Sequence, residues 1–516
     1  MPFTRIPVFP RKCAIVLVLA LAGCAVGPNY KRPEAAIPAA YKEAPEGWKV
    51  AQPADRVDRG NWWSIYRDPQ LNELETRLNA SNQTVAQFAA VYRQARALVA
   101  EARASYFPTL GVTGAGTRAG ASGRTGGSSV SNNVDLGLNA SWEPDLWGTV
   151  SRTVGAQKAG EQSAAADLAN ARLSAQGTLA QTYFQLRSLD AQQRLLDNTV
   201  AAYQRTLQLT QNQYAQGTAA RSDVIQAQTQ LLSAQAAAID NGVARAQFEH
   251  AIAALVGEPA STFSIAASPL DATPPEVPLE MPSAILERRP DVASAERKAA
   301  AANEQIGVTI AAFFPTLTFS ASGGFQNSVL SQLLSAPSRF WTLGPSLAAN
   351  IFDGGLRIAQ TEAARAAYDS AVATYRQTIL SAFQDVEDNL ASQRILANEV
   401  VVQDQAVASA QQALAIVTNQ YKSGTVGFIN VLTAQATAFT AEQKLASIAG
   451  QRMVSSVGLI KSLGGGWDTA QIDQETGSAA APVAASGGVL KGPSAALNPA
   501  RGSSTVAATS GGAAKE

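Results

Sequence analysis

Only two cysteines occur in the chain, Cys13 and Cys24, and neither lies where a folded body could use it, so no internal disulfide is available. Histidine is nearly absent as well. His250 stands alone among alanines, and no His and Cys residues are grouped at metal-ligand spacing. No GxxxxGK[ST] phosphate loop occurs, and the loosened dinucleotide pattern Gly114-Ala115-Gly116-Thr117-Arg118-Ala119 enters a Gly/Ser loop with no helix after it. Enzyme activity, a cofactor and a metal site are therefore not expected. Net charge is missing too: 40 basic residues balance 40 acidic ones, so no field draws in nucleic acid. Beyond Cys24 no stretch approaches the roughly 18–20 uncharged apolar residues of a transmembrane helix. Any crossing of a bilayer then has to be a closed sheet.

What is present begins at the amino terminus. Cationic Arg5, Arg11 and Lys12 precede the apolar run Ala14 to Leu21, and Leu21-Ala22-Gly23-Cys24 follows as a lipobox. Cleavage before Cys24 leaves that residue free to carry acyl chains, each buried methylene adding about 0.8 kcal/mol of membrane affinity. Ala25 takes the place of an aspartate that would argue for inner-membrane retention, so the prediction is a lipid-anchored protein of a Gram-negative outer membrane. An ordinary secretory signal with an incidental Cys24 is the alternative.

The body of the chain is written twice. Phe107-Pro108-Thr109-Leu110 recurs as Phe314-Pro315-Thr316-Leu317, and Asn212-Gln213-Tyr214 with Gly217-Thr218 recurs as Asn419-Gln420-Tyr421 with Gly424-Thr425, all displaced by 207 positions. Between these anchors Gln193-Arg194 matches Gln393-Arg394 at a displacement of 200, a heptad slip that keeps an apolar seam facing the same neighbour. Gly148 to Gly217 has no proline and is rich in strong helix formers, long enough to reach roughly 100 Å. Leu189, Leu196, Val200, Tyr203, Leu207 and Tyr214 form a coiled-coil stripe that Gln193 and Thr210 weaken. A turn at Gly217-Thr218 and a return helix through Val224, Ala227, Leu231 and Ala234 to about Gly257 make a long hairpin. The second copy repeats it from about Leu356 to Tyr421 and from Phe428 to about Leu463.

Shorter helices, about Leu71 to Ser105 and Ser283 to Ala312, lead into stretches of twofold period. Val134, Leu136, Leu138, Ala140 and Trp142 alternate with Asp135, Gly137, Asn139 and Ser141, and Leu317, Phe319, Ala321, Gly323 and Phe325 alternate with polar and small residues. A last strand sets Trp341, Leu343, Leu347 and Ile351 against Thr342, Ser346 and Asn350, and a weaker strand spans Leu110 to Arg118. One apolar and one wet face suit a barrel wall, although a half-buried soluble sheet has the same pattern. Four strands are too few to close a barrel alone, so closure needs several chains. Two loops, 119–132 and 326–340, are predicted to face the exterior. The expected organisation is a signal at 1–23, an anchor segment at 24–70, a first repeat at 71–257, a linker at 258–280, a second repeat at 281–467 and a disordered Ala/Gly/Ser-rich tail at 468–516.

Several motifs resemble those of the outer membrane factor family, the TolC-like efflux ducts, in its NodT/OprM-type lipoprotein branch. Cys24 to Pro33 (CAVGPNYKRP) resembles the branch's amino-terminal signature, and Trp62 to Leu71 (WWSIYRDPQL) its entry into the first helix. Leu286 to Val292 (LERRPDV), Phe313 to Leu317 and Phe352-Asp353-Gly354-Gly355 complete the pattern over about residues 24 to 467. The resemblance implies a mainly α fold with a small transmembrane β part: a homotrimer in which each chain gives four strands to a twelve-stranded barrel continued by a periplasmic helical barrel. It implies a passive exit duct for small toxic compounds, partnered by a periplasmic adaptor and an inner-membrane pump of the RND type, and opened at its periplasmic tip.

By this resemblance the turns fall at the tip, with Gly217, Thr218, Gly424 and Thr425 placed for adaptor contact and Arg221, Asp223, Asn430 and Thr433 as gate candidates. Threefold symmetry would turn each into a ring. Family members often carry aspartate where this chain has Thr433, and some also at Asn430, so weaker charge repulsion and weaker divalent-cation block are expected here. Asp223 has an equal alternative as the N-cap of the return helix. Two other functions stay open: the duct of a type I protein secretion system, and a coiled-coil lipoprotein that spans the periplasm without conducting.

Overall fold

The computed structural model describes residues 25–38, 40–43, 61–122, 128–270, 273–275 and 288–465. Cys24, the signal, residues 281–287 and the tail from 466 onward lie outside the described residues. A 3-10 turn at Trp62–Tyr66 opens the first repeat, followed by α1 (Pro69–Ser81), α2 (Gln83–Ala104), β1 (Thr109–Ser122), β2 (Ser128–Trp142), α3 (Thr149–Ala215) and α4 (Arg221–Leu255). The second repeat contains α5 (Pro290–Ala311), β3 (Thr316–Asn327), β4 (Arg339–Ala348), α6 (Leu356–Lys422) and α7 (Phe428–Ser462). The hairpins are equal in reach, since α3 and α6 each have 67 residues and α4 and α7 each have 35.

The single helix expected over Leu71 to Ser105 is two helices. Asn82 adopts extended backbone, its Oδ1 accepts the Val85 N–H at 2.9 Å, and its Nδ2 donates to the Leu255 carbonyl at 2.8 Å. A side chain that caps the next helix competes with continuing the first one. The partner expected from Ser283 is likewise interrupted: α5 starts at Pro290, after extended Arg289, because proline suits the first helical position and disfavours α backbone before it. At both breaks a short helix stands end to end with a return helix. Ser81 and Asn82 bond the carbonyls of Val256 and Leu255 in one repeat, and Arg289 bonds the Ser462 carbonyl in the other. The wall is therefore four helices wide along its length: α2, α3, α5 and α6 near the sheet, then α4, α3, α7 and α6 beyond it.

The main core lies midway along this wall. Trp62, Leu71, Leu74 and Leu78 belong there to one cluster with Tyr183 and Phe184 of α3, Tyr375 and Ile379 of α6, and Met453 and Val457 of α7. Burying side chains of this size contributes about 1.5–3 kcal/mol each. Glu75 sits in the same core, fully buried, with neither carboxylate oxygen hydrogen-bonded. Burial pushes its carboxyl up to about 9. The linker after α4 is held by an ion-pair cluster in which Asp190 takes Arg187 at 2.8 Å and Arg245 at 2.7 Å, while Arg245 and Arg187 also donate to the carbonyls of Ile265 and Ala266.

Of the coiled-coil stripe, Leu196 and Tyr203 are buried as expected, but Thr210, the residue that weakened it, is fully buried, and Tyr214 is 48 % exposed. The sheet order is β1-β2-β3-β4, all antiparallel, and among the described residues the outer edges of β1 and β4 are unpaired. Pairing of β1 with β2 extends through Ser122 and Ser128, beyond the strand limits read from hydropathy and into the expected 119–132 loop, because the ladder bonds backbone whatever the side chains. At the other end β4 stops at Ala348, so Ile351 is not in the strand. There the chain turns into α6, with Arg357 donating to the Asn350 carbonyl at 2.7 Å and pairing with Asp353 at 2.5 Å.

Candidate functional site

Three places on the protomer carry functional geometry: the sheet, its helical base, and the far tip of the hairpins. In the sheet, register places Val112 opposite Leu138, Leu136 opposite Phe325, Ala321 opposite Leu343 and Gly323 opposite Trp341, all on one face. The other face carries Thr113, Asn139, Asp135, Gln326, Ser322 and Thr342. The apolar face is bare in the protomer, with Val112 72 %, Leu343 71 % and Trp341 81 % exposed. An uncovered apolar sheet face marks a surface for protein or membrane contact, and its two open edges can take up further strands.

At the base of the sheet aromatic side chains gather. Trp142 stacks on Phe319 at 5.9 Å and Trp147 on Phe314 at 4.8 Å, their indole N–H groups donating to the carbonyls of Tyr106 and Pro315. Phe107 and Phe352 are exposed as well. A strap formed by residues 25–38 and 40–43 begins here. Val26 N–H donates to the Trp147 carbonyl at 3.2 Å, and Ala25 lies against Gly148, where an added Cβ would come within 2.8 Å of its Cα. Arg152, buried and paired with Glu304 at 2.9 Å, donates to the carbonyls of Val26 and Gly27 and to Asn29 Oδ1. Farther on, Tyr30 donates to Glu296 at 2.7 Å, Arg376 to the Glu34 carbonyl at 3.2 Å, and Arg394 pairs with Glu43 at 2.5 Å. The strap thus runs from the sheet base to the middle of α6. Its contacts escaped sequence reading because an extended, proline-containing segment has no hydrophobic period.

At the tip the two turns are copies. Gly217 and Gly424 have φ of 76° and 75°, the left-handed region that favours glycine. Thr218 and Thr425 each bond the carbonyl five residues back, at Gln213 and Gln420, through both the backbone N–H and the hydroxyl. Asp223 is not an N-cap. That position belongs to Ala220, which makes no side-chain cap, and Asp223 lies in the first turn of α4, with Ser222 Oγ at 3.3 Å. Arg221, Asn430 and Thr433 are exposed, and among the described residues Arg221 has no ion pair. Thr433 donates to the Ile429 carbonyl and Asn430 to that of Gly427, both within their own helix region.

The tip also joins the two hairpins in a way sequence reading did not anticipate. Ala227, Tyr421, Phe428 and Val431 form a small core with Leu207 and Leu209. Beside it, Gln435 Nε2 donates to Thr206 Oγ1 at 3.1 Å across the hairpins, while Tyr421 Oη, Gln213 Oε1 and Gln435 Oε1 are buried without hydrogen bonds of good geometry. Burial raises the Tyr421 hydroxyl's pKa, nearby Thr210 lowers it, and the charge of Asp223 adds a smaller rise, so the Asp223 charge reaches the hairpin interface. The duplicated Tyr421 was the available signal. Among the described residues no group of three or more His, Cys, Asp or Glu is placed to hold a metal ion, and no helix is long and apolar enough to cross a membrane.

Comparison with known proteins places these features in context. The sequence profile of outer membrane efflux proteins matches residues 74–258 and 281–465, one stretch in each repeat. The pyoverdine export outer membrane protein OpmQ of Pseudomonas aeruginosa is 32% identical over 440 residues, covering 83% of this chain and 92% of OpmQ. The solvent efflux pump outer membrane protein SrpC of Pseudomonas putida is 30% identical over 480 residues, covering 91% of this chain and 100% of SrpC. Among solved structures, the outer-membrane channel OprN superposes with a TM-score of 0.79 at 28% identity, covering 86% of this chain and 100% of that one. The open state of the MtrE channel of Neisseria gonorrhoeae gives 0.77 at 26% identity, over 86% and 99% of the two chains.

Proposed function

The chain belongs to the outer membrane efflux protein family and is an outer-membrane efflux duct; on that premise we propose that three copies share one twelve-stranded barrel and one twelve-helix tube. The observation that carries this reading is the sheet, apolar on one face, wet on the other, and open at both edges. Three such sheets give a barrel with lipid outside and water within. A wall four helices wide, repeated three times, continues that lumen into the periplasm. The family is one of channels, not of enzymes.

The strap supports anchoring through Cys24. Its first described residue, Ala25, lies at the aromatic base of the sheet, the level at which Trp and Phe side chains mark a membrane interface. Acyl chains on Cys24 would enter the lipid there without crossing any intervening structure. Cys24→Ser should abolish incorporation of labelled palmitate while leaving the protein in the outer membrane, held by its barrel; palmitate retained on the variant would refute the assignment.

At the tip, rings of Arg221, Asp223, Asn430 and Thr433 set the closed constriction, and the turns at Gly217, Thr218, Gly424 and Thr425 meet a periplasmic adaptor joined to an inner-membrane pump of the RND type. The polar layer between the hairpins favours a gate of low cost. Its unbonded atoms lose hydration when the tip is closed and regain it when water enters, so parting the hairpins relieves desolvation of about 1–3 kcal/mol per group. OpmQ and SrpC are named for pyoverdine export and solvent efflux, which supports small organic compounds as the cargo. In planar bilayers the purified trimer should give small, mostly closed channels, and Asp223→Ala or Arg221→Ala should raise the open probability. Bilayers that stay silent with both variants would overturn the conducting duct and favour a periplasmic spacer.

A further inference from the structure

The wall contains a groove of about 650 Å³, midway along the hairpins, within the size range of small-molecule sites. Its sides are Gln181, Gln185, Ser188 and Gln192 of α3 and Asn389 and Ser392 of α6, and α7 lies between them. The floor is low because Gly450 meets Ser188 so closely that an added Cβ would come within 2.5 Å of the hydroxyl. Phe248, Leu189, Ile395 and Val454 supply an apolar bed. No charged residue lines the groove, and the side chains of Gln181, Gln185, Ser188 and Gln192 make no hydrogen bond within the described protein.

Helix periodicity fixes which side of the wall the groove faces. Residues 62–70 touch α3 through Gln176, Tyr183 and Arg187 and α7 through Ser456. The strap touches α6 through Arg376, Glu387 and Arg394. At about 100° per residue, all these positions lie roughly opposite the groove residues on the same three helices. On the proposed anchoring through Cys24 the strap starts at the membrane, so its side of the wall is the outside of the tube. The bare side, with the groove, is the lumen.

We infer that this groove is a luminal subsite for uncharged small organic molecules that combine an apolar ring or chain with amide or hydroxyl groups. The apolar body lies on Phe248 and Val454, and uncommitted glutamine amides pair with its polar edge. A charged solute finds no counter-charge in it. Charged side chains line a smaller cavity of about 210 Å³ toward the sheet, which shares Gln181 and Asn389 with the groove and holds Arg289, Asp291, Asp385 and Lys461. The inference rests on the duct reading, because only a duct gives this face a lumen.

Equilibrium dialysis of nanodisc-embedded trimers against radiolabelled chloramphenicol, a neutral aromatic amide diol, tests it, with channel conductance recorded on the same preparations. Saturable binding is expected, unaffected by excess benzoate. Gln192→Trp and Gln451→Trp, which fill the groove, should each weaken it at least about tenfold, and Gln192→Ala should weaken it less. Conducting wild-type trimers with no saturable binding, or tryptophan variants that keep full affinity, would overturn the subsite and leave the duct standing. Trimers that bind but never conduct would count against the duct and not against the groove.

Discussion

Replacing Glu75 with leucine should stabilise the protein, and the gain should widen as pH rises. The carboxyl is fully buried with both oxygens unpartnered, and burial holds its pKa near 9 in the folded chain, against the ordinary value of 4.5. Below the lower value the group is protonated in both folded and unfolded chains and has no pH-linked effect. Between the two values only the unfolded chain releases the proton, so folding loses stability with every step upward, and the loss levels off above the higher one. At about 1.4 kcal/mol per unit, the deficit that Glu75→Leu or Glu75→Gln removes is on the order of 3 kcal/mol near pH 7. Leucine should add a further gain by removing unbonded polar atoms from an apolar site. Thermal unfolding of wild type and both variants, from about pH 5 to about pH 9, measures this. Parallel curves, with a difference independent of pH, would mean that the carboxyl is ionised and paired in the folded protein.

A second large effect is expected in the sheet. Leu138 lies at the centre of the apolar face, between Val112 and Gly323, and Asn139 lies next to it on the opposite face. On the proposed trimeric barrel, Leu138→Arg places a guanidinium in lipid at a cost of about 2–4 kcal/mol per chain, incurred three times. It should abolish folded trimers in outer-membrane fractions. Asn139→Arg should assemble normally and shift ion selectivity toward anions, since its charge faces water. If the two variants assembled equally well, the apolar face would not be the lipid face.

What could be read from the sequence depended on how each element is specified. The strands were legible because alternation has a short period and appears in both repeats, as with Leu136 and Leu138 in β2 and Phe319 and Ala321 in β3. The tip turns were legible because Gly217-Thr218 and Gly424-Thr425 interrupt long proline-free runs. The break at Asn82 was not, since no glycine or proline marks it, and the Asn82 side chain that caps the next helix is also tied to a carbonyl 173 residues away. Nothing in the sequence marks Glu75, because its burial is decided by the core around Trp62 and the long helices that meet there. The polar layer at the tip was hidden for a similar reason. Thr206 and Gln435 each look solvated in their own helix and Thr210 looks like a flaw in the stripe, yet Thr210 and Gln435 are buried and Thr206 accepts a hydrogen bond from Gln435 where one hairpin lies on the other.

The unpaired borders of β1 and β4 bear on how the cell must handle this protein. On the shared-barrel reading, a lone subunit offers two rows of backbone donors and acceptors, unpaired among the described residues, beside a greasy surface, the combination that seeds aggregation. Synthesis faster than assembly would fill the periplasm with sticky intermediates, so yield should depend steeply on expression level and on the supply of holdase chaperones.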